Sequence, residues 1–186
     1  TRTVFSSFAD NVIVVRMEAD KPKALNFDLS YNSPLKHVVM AKGNELVVKC
    51  EGMEQEGIPA ALNAECRVLV RHNGKSGKSN KSVVVDQATV ATLYISAATN
   101  FVNYHDVSGN ASKLASSILK RAVKVPYEQA LANHIAAYKE QFDRVTFSIP
   151  STETSTLETD KRVVAFGEGK DLNLIALMFQ YGRYLL

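Results

Sequence analysis

The residues that come closest to a chemical motif lie in the stretch Gly74–Ser79, which reads Gly-Lys-Ser-Gly-Lys-Ser. A phosphate-binding loop needs four residues between its glycines before the Lys-Ser pair, and this stretch has two. The stretch also lies between predicted strands, so no helix offers its amino terminus to a phosphate. The pattern therefore predicts a basic, solvent-exposed hairpin tip, to which Lys81 adds a further charge.

The histidines are dispersed, and no pair has the spacing of metal ligands on one element. They are His37, His72, His105 and His134. His105 and Asp106 are adjacent, which permits an acid–base pair, but the favoured interpretation is a structural pair at the corner between a strand and a helix. His134 and Tyr138 can share a helix face. Either a polar contact to a neighbouring domain or a satisfied histidine at a helix edge explains them, and the second is favoured.

The sequence contains few signals of serine catalysis, glycosidic chemistry or sugar binding. No Gly-x-Ser-x-Gly elbow marks a nucleophilic serine. Paired carboxylates could act on a glycosidic bond, but the pattern does not show which of the 19 acidic residues face each other. Sugar-binding sandwiches usually expose aromatic rings, whereas this chain has no tryptophan, and most of its Tyr and Phe are predicted to face the core. Composition and spacing alone indicate no active site.

The two cysteines, Cys50 and Cys66, form no metal motif. Strand alternation places each of them among inward-facing apolar residues. Two buried free thiols are the favoured interpretation over a disulfide between them.

The totals describe an ordinary globular protein with a core. The chain has 186 residues, of which 46% are hydrophobic and 22% are charged. A formal charge of +3 is too small to indicate nucleic acid as a partner. No apolar run approaches the roughly 18 residues of a membrane span. The expectation is therefore no nucleic-acid partner and no membrane partner.

The first part of the chain, residues 1–107, follows the pattern of an antiparallel β-sandwich. About eight short strands are separated by turns, which is typical of that architecture. Val12–Met17 is almost continuously apolar and is predicted to be a central strand. Gly43-Asn44 predicts a tight hairpin.

A helical pattern begins after Gly109, where Asn110 is predicted to cap a helix with Leu114, Ile118 and Ala122 on one face. Pro126 breaks this helix, and a second one carries an amphipathic stripe. That stripe consists of Leu131, Ile135, Tyr138 and Phe142. Residues 108–145 are thus predicted to form a two-helix linker.

The last part, residues 146–186, is predicted to contain a short strand at 146–149, an exposed loop and two helices. The final helix, Asp171–Leu186, carries one polar stripe, made of Asn173, Gln180 and Arg183, and is apolar elsewhere. Such a helix belongs in the interior of a protein. We therefore expect the chain to be part of a larger protein. When the chain is alone, we expect an exposed apolar surface made of Leu172, Ile175, Phe179 and Tyr181. A further interpretation is a purely structural interaction domain, in which this surface pairs with another chain.

Several phrases resemble the amino-terminal part of glycoside hydrolase family 95, the inverting α-L-fucosidases and α-L-galactosidases. The resemblance is carried along almost the whole chain by Val12–Arg16, Ala19–Pro22, Ser33–Leu35, Gly43–Leu46, Ala97–Thr99, Phe101, Tyr104, Asp106, Tyr127, Glu128, His134, Tyr138, Phe142, Arg144, Val145 and Phe179–Leu186. The last of these segments looks like the first helix of that family's (α/α)6 barrel.

The resemblance implies a mixed β and α fold: a partial supersandwich, linker helices and the start of an (α/α)6 barrel. In the family a glutamic acid protonates the glycosidic oxygen, and a water activated by asparagine and aspartate attacks from the opposite face. Those residues are expected downstream of Leu186, so no catalytic, cofactor-binding or metal-binding residue is assigned. No cofactor is expected.

The implied partners of the parent protein are a fucosylated oligosaccharide and the catalytic barrel in the same chain. The resemblance also implies a bacterial protein of the periplasm or the extracellular space. This chain is then a scaffold that does not itself hydrolyse fucosides. Two alternatives stay open: a stand-alone carbohydrate-binding or adhesion module, and the amino-terminal part of a family 65-like sugar phosphorylase.

Overall fold

The computed structural model describes residues 1–185 and divides the chain into two compact units, 1–134 and 135–186. The first unit is built from nine strands, one helix and the first half of a second helix. The strands are β1 Arg2–Ser7, β2 Val12–Glu18, β3 Leu25–Leu29, β4 His37–Lys42, β5 Glu45–Glu51, β6 Asn63–His72, β7 Lys75–Ser76, β8 Val83–Ala88 and β9 Val90–Thr99. The α-helices of residues 1–185 are α1 Ala111–Ala122, α2 Tyr127–Phe142, α3 Thr159–Ala165 and α4 Asn173–Tyr184. The predicted mixed β and α fold is therefore confirmed.

In the part of the chain that the structure describes, all strand pairs are antiparallel and form two sheets. The six-stranded sheet has the order β1-β2-β9-β6-β5-β4, and the three-stranded sheet has the order β3-β8-β7. Gly43, with a φ of 59°, makes the hairpin between β4 and β5 as predicted, because glycine adopts this left-handed conformation without strain. The strand at Val12–Met17 pairs on both sides, with β1 and β9, as expected of an interior strand.

An apolar core lies between the two sheets. Alternate residues of β5, β6 and β9 face alternate residues of β8, since successive side chains of a strand point to opposite faces. The fully or nearly buried members are Leu46, Val48, Val68, Val70, Val83, Val85, Ala88 and Leu93. The predicted sandwich is this pair of sheets.

The opposite face of the large sheet is covered by α1 and the start of α2. Asn110 caps α1 by accepting a hydrogen bond from the Lys113 amide at 2.8 Å, as predicted. The buried face of α1 differs from the predicted one, since Leu114, which was predicted to share a face with Ile118 and Ala122, is 50% exposed. The residues that α1 buries are Ala111, Ala115, Ile118, Leu119 and Ala122. Small alanines allow the helix to lie close to the sheet, where the Ser96 hydroxyl donates to the Ala115 carbonyl at 3.0 Å.

The second unit contains the end of α2, a loop, α3 and α4. The prediction of a short strand at 146–149 is wrong, since these residues pair with no strand in the described chain. Side chains bind this segment instead: Asn173 donates to the Ile149 carbonyl at 2.8 Å, and Arg183 donates to the Val145 carbonyl at 2.6 Å. The last helix ends at Tyr184, and Leu186 lies outside the described residues.

The domain boundaries predicted at 107/108 and 145/146 stay predictions.

Among the helices of residues 1–185, none has both the length and the apolar composition that crossing a bilayer requires.

Candidate functional site

Helix α4 exposes a broad apolar face. Together with α3 it forms an open groove of ≈ 870 Å³ with an almost entirely apolar lining. Among the side chains that line the groove, Met178 is 75% exposed and Tyr181 is 60% exposed. Other lining residues are Val163, Phe166, Ile175, Leu177 and Phe179. We call this surface the α4 groove. An apolar surface of this kind marks a site of interaction with other protein or with a ligand.

The polar stripe of α4 faces inward within its unit. Arg183 donates to Gln180 Oε1 at 2.7 Å and to the backbone carbonyls of Phe142 and Val145. Its guanidinium also lies 4.6 Å from the centre of the Phe142 ring. The predicted stripe of Asn173, Gln180 and Arg183 is confirmed as a polar face. Because these contacts hold the polar side against residues 142–149, the apolar side is left open.

A buried ion pair fixes α3 against the start of α4. Arg162 Nε donates to Asp171 Oδ2 at 2.7 Å, and Arg162 Nη2 donates to Asp171 Oδ1 at 3.1 Å. The same carboxylate accepts from the Ser155 hydroxyl and from the Leu174 amide, both at 3.2 Å. Asp171 therefore binds a backbone donor in the first turn of α4. These contacts, Arg162 above all, hold the pKa of Asp171 below its usual range.

The buried carboxylates are poorly suited to acid catalysis. A catalytic acid in glycoside hydrolysis needs a raised pKa, whereas Asp171 is held as the anion by Arg162. Glu65, which is 2% exposed, is paired with Arg67 at 2.6 Å and lies 3.9 Å from Lys49. Both groups hold structure together. Within residues 1–185, no three His, Cys, Asp or Glu side chains converge as ligands for a metal ion.

Of the other candidate residues, His72 lies beside the stretch Gly74–Ser79, since its Nε2 is 3.2 Å from Ser76 Oγ. Gly74–Ser79 includes strand β7 in a hairpin with β8, as the basic-tip interpretation predicted. The ring of His105 lies 3.8 Å from the ring of Tyr104, centre to centre. The Asp106 carboxylate accepts from the Ser108 amide at 2.8 Å. The Ser108 side chain, followed by this amide, lowers the pKa of Asp106. The pair at 105–106 therefore serves the turn, as the structural interpretation expected.

Both cysteines are free and half-buried, in agreement with the prediction. They lie on neighbouring strands and pack against the core between the sheets. Burial, followed by the nearby Cys50, raises the pKa of the Cys66 thiol, so this thiol is a poor nucleophile.

The expectation that most aromatic residues face the core is wrong. Large exposed fractions are found for Tyr104 at 85%, Phe8 at 82% and Phe101 at 53%. These residues lie in turns and loops, where strand alternation gives no information about direction. His134, in contrast, stacks on the buried Phe5 ring at 5.0 Å, which fits the histidine at a packed helix edge.

Sequence reasoning missed the pair of Arg162 and Asp171, because their separation of nine residues follows no helical or strand repeat. It also missed two arginines of the large sheet, Arg16 and Arg71, which lie far apart in sequence. Only strand pairing brings these onto one face.

The first unit matches a known protein family. The family described as "Glycosyl hydrolase family 65, N-terminal domain" matches residues 1–104, more than half of the chain. The chain belongs to this family. Its family 65 N-terminal domain comprises all nine strands of the two sheets.

A second family, described as "Glycosyl hydrolase family 95 catalytic domain", matches residues 126–186. The α4 groove lies within this match. Alpha-L-fucosidase 2 of Arabidopsis thaliana is 28% identical over an alignment that covers 100% of this chain. The chain spans 26% of that protein's length. The predicted resemblance to family 95 is confirmed, and bacterial origin stays a prediction, since this relative is a plant protein.

A solved structure described as a putative kojibiose phosphorylase from the human microbiome is also similar. It is 12% identical, has a TM-score of 0.44, and the match covers 73% of this chain and 19% of that one.

Proposed function

We propose that the chain is a non-catalytic part of an inverting α-L-fucosidase that acts on fucosylated glycans. The fucosidase relative aligns along the whole chain, and the segment that matches a catalytic domain begins at residue 126. In this proposal the sandwich supports the (α/α)6 barrel, and residues beyond Leu186 supply the acid and the base.

The observation that carries the proposal is the α4 groove. A helix with its polar side bound to its own unit and its apolar side open is suited to packing inside a helical barrel. At about 25 cal/mol per Å², covering such a surface with neighbouring helices stabilises the assembly by several kcal/mol.

An activity assay tests where the chemistry lies. The 186-residue chain and a longer protein that continues it through a family 95 catalytic domain are incubated with a fucosyl-α-1,2-galactoside. We expect the longer protein to release fucose and the chain alone to release none. Turnover by the chain alone would place the catalytic residues within it, and an inactive longer protein would contradict the fucosidase assignment.

A chimera tests the scaffold role. The chain replaces the matching quarter of the Arabidopsis enzyme, with and without Met178→Glu in the α4 groove. The charge should abolish activity and assembly, because burying an unpaired carboxylate in an apolar interface is costly. Val164→Glu, at an exposed apolar residue outside the groove lining, is the matched control. Equal activity of the two variants would show that the groove is not packed in the assembled protein.

A second candidate function is a stand-alone carbohydrate-binding module. The exposed Tyr104 ring beside His105 favours it, since an aromatic face complements the C–H groups of a sugar. Calorimetric titration of the chain with fucosylated oligosaccharides distinguishes the two. Binding that Tyr104→Ala removes would support the module.

A family 65-like phosphorylase is the third candidate, and the match of residues 1–104 favours it. The longer protein would then release a sugar phosphate from its substrate only when inorganic phosphate is present. Release of the free sugar without phosphate would exclude this function.

A further inference from the structure

Three strands of the large sheet place two arginines on either side of one threonine. Arg16 of β2 pairs with Thr92 of β9, and Thr92 pairs with Arg71 of β6. Residues in direct register point to the same face of a sheet, and neighbouring strands are about 4.8 Å apart. The two arginines therefore begin about 10 Å apart on one face, and the side chain between them is that of Thr92.

Each guanidinium lies over an aromatic ring. The Arg16 guanidinium carbon is 4.3 Å from the centre of the Tyr127 ring, and that of Arg71 is 5.7 Å from the centre of the Tyr94 ring. Cation–π contacts of this kind restrict where a flexible side chain can lie. Together these residues line a pocket of ≈ 250 Å³ within the first unit. Since a water molecule occupies about 30 Å³ in the liquid, the pocket has room for a small polar group.

Tyr94 is a third polar residue that lines this pocket. Tyr94 is 2% exposed, so the surrounding core fixes the position of its ring. Burial raises the pKa of Tyr94, and the charges of Arg71 and Arg16 lower it, so both cations lie near the phenol.

The charges around the pocket leave one arginine without a counter-ion. Arg16 Nε donates to Glu18 Oε1 at 2.8 Å, and Arg16 Nη1 lies 3.4 Å from Thr92 Oγ1. Glu18 therefore neutralises Arg16 from the exposed side. In the described chain, residues 1–185, Arg71 forms no ion pair with a carboxylate. A net positive charge and the Tyr94 side chain thus line the same pocket.

We propose that this pocket, formed by Arg16, Arg71 and Tyr94, binds a small oxyanion such as phosphate or the carboxylate of an acidic sugar. Guanidinium groups match the geometry of both anions and bind them through charge-assisted hydrogen bonds. The Tyr94 hydroxyl donates a further bond, and Thr92 completes the floor. The site lies in the sandwich and does not depend on the proposed fucosidase activity.

Titration of the 186-residue chain at constant ionic strength tests the proposal. The ligands are inorganic phosphate, galacturonate and, as the neutral match to galacturonate, galactose. Calorimetry or NMR should show one saturable site for at least one anion, and comparison of the two shows which source the pocket prefers. Binding of galactose as tight as that of galacturonate would overturn the proposal, as would the absence of saturation with both anions at tens of millimolar.

Variants locate the site. Arg71→Gln and Tyr94→Phe should each weaken anion binding about tenfold, because each removes a donor. Arg2→Gln, at an exposed arginine of β1 outside the pocket, is the control and should bind as the unchanged chain does. Circular dichroism confirms that Arg71→Gln, an exposed position, is folded. Unchanged affinity in a folded Arg71→Gln protein would show that the anion binds elsewhere.

Discussion

At the scale of single residues, Asp171 joins two elements. Its carboxylate binds Arg162 of α3 through two hydrogen bonds and accepts a third from the Leu174 amide at the start of α4. A buried charge that loses its partner is left uncompensated. Replacing either Arg162 or Asp171 by a neutral residue should therefore destabilise the second unit.

The stability of the second unit should depend on the charge of Asp171. The folded state lowers the pKa of this carboxyl, while in the unfolded chain it is near 3.9. The contribution is therefore fully present above about pH 4 and is lost as the pH falls through the folded value. We expect Asp171→Asn to lower the midpoint of thermal unfolding at pH 7, and the difference from the unchanged protein to shrink at low pH. Circular dichroism melts across this range measure it.

The control for this prediction is Asp143→Asn, at an exposed carboxylate beyond the end of α2. It should change the midpoint little at either pH. A difference between Asp171→Asn and the unchanged protein that stays constant down to low pH would show that the charge on Asp171 is not what stabilises the unit.

A second residue-scale prediction concerns Asn110. Its side chain accepts from the Lys113 amide at the first turn of α1, where backbone donors have no helical partner. Asn110→Ala should reduce the free energy of unfolding by about 1 kcal/mol. Urea denaturation checks this, and no measurable change would mean that water replaces the cap without cost.

At the scale of elements, α1 depends on small side chains. Ala115 is fully buried where the helix meets β9. Ala115→Leu should destabilise the first unit by about 1–3 kcal/mol, because the helix cannot move away without breaking its contacts with the sheet. Chemical denaturation measures the loss of stability.

The matched control is Lys113→Leu, on the exposed side of the same helix. This change should stay within about 0.5 kcal/mol of the unchanged protein. Equal effects of the two leucines would indicate that α1 is not packed as closely as described.

At the scale of the whole molecule, the α4 groove should govern association of the chain in solution. The purified chain should bind a hydrophobic dye and self-associate through this surface, since large exposed apolar patches favour contact. Met178→Glu should reduce both the dye fluorescence and the mass found by light scattering. Val164→Glu, outside the groove lining, should leave both quantities close to those of the unchanged chain. A chain that is monomeric and binds no dye would contradict the prediction.

The second unit shows where sequence patterns succeed and fail. The stripe of Asn173, Gln180 and Arg183 was predicted because helical periodicity is local, and the structure confirms it. The strand predicted at 146–149 failed because four alternating residues become a strand only when another strand pairs with them. Here the carbonyl groups bind Asn173 and Arg183 instead.

The sequence by itself determined the longer strands of the first unit, the hairpin at Gly43, the cap at Asn110 and the resemblance to family 95, since each rests on neighbouring residues or on similarity along the chain. Only the tertiary structure decided which side of α1 is buried, which aromatic rings are exposed, and that Arg16, Arg71 and Tyr94 share a pocket. The physical reason is distance along the chain. Register between strands brings residues 16, 71 and 94 together, and no local periodicity specifies that register.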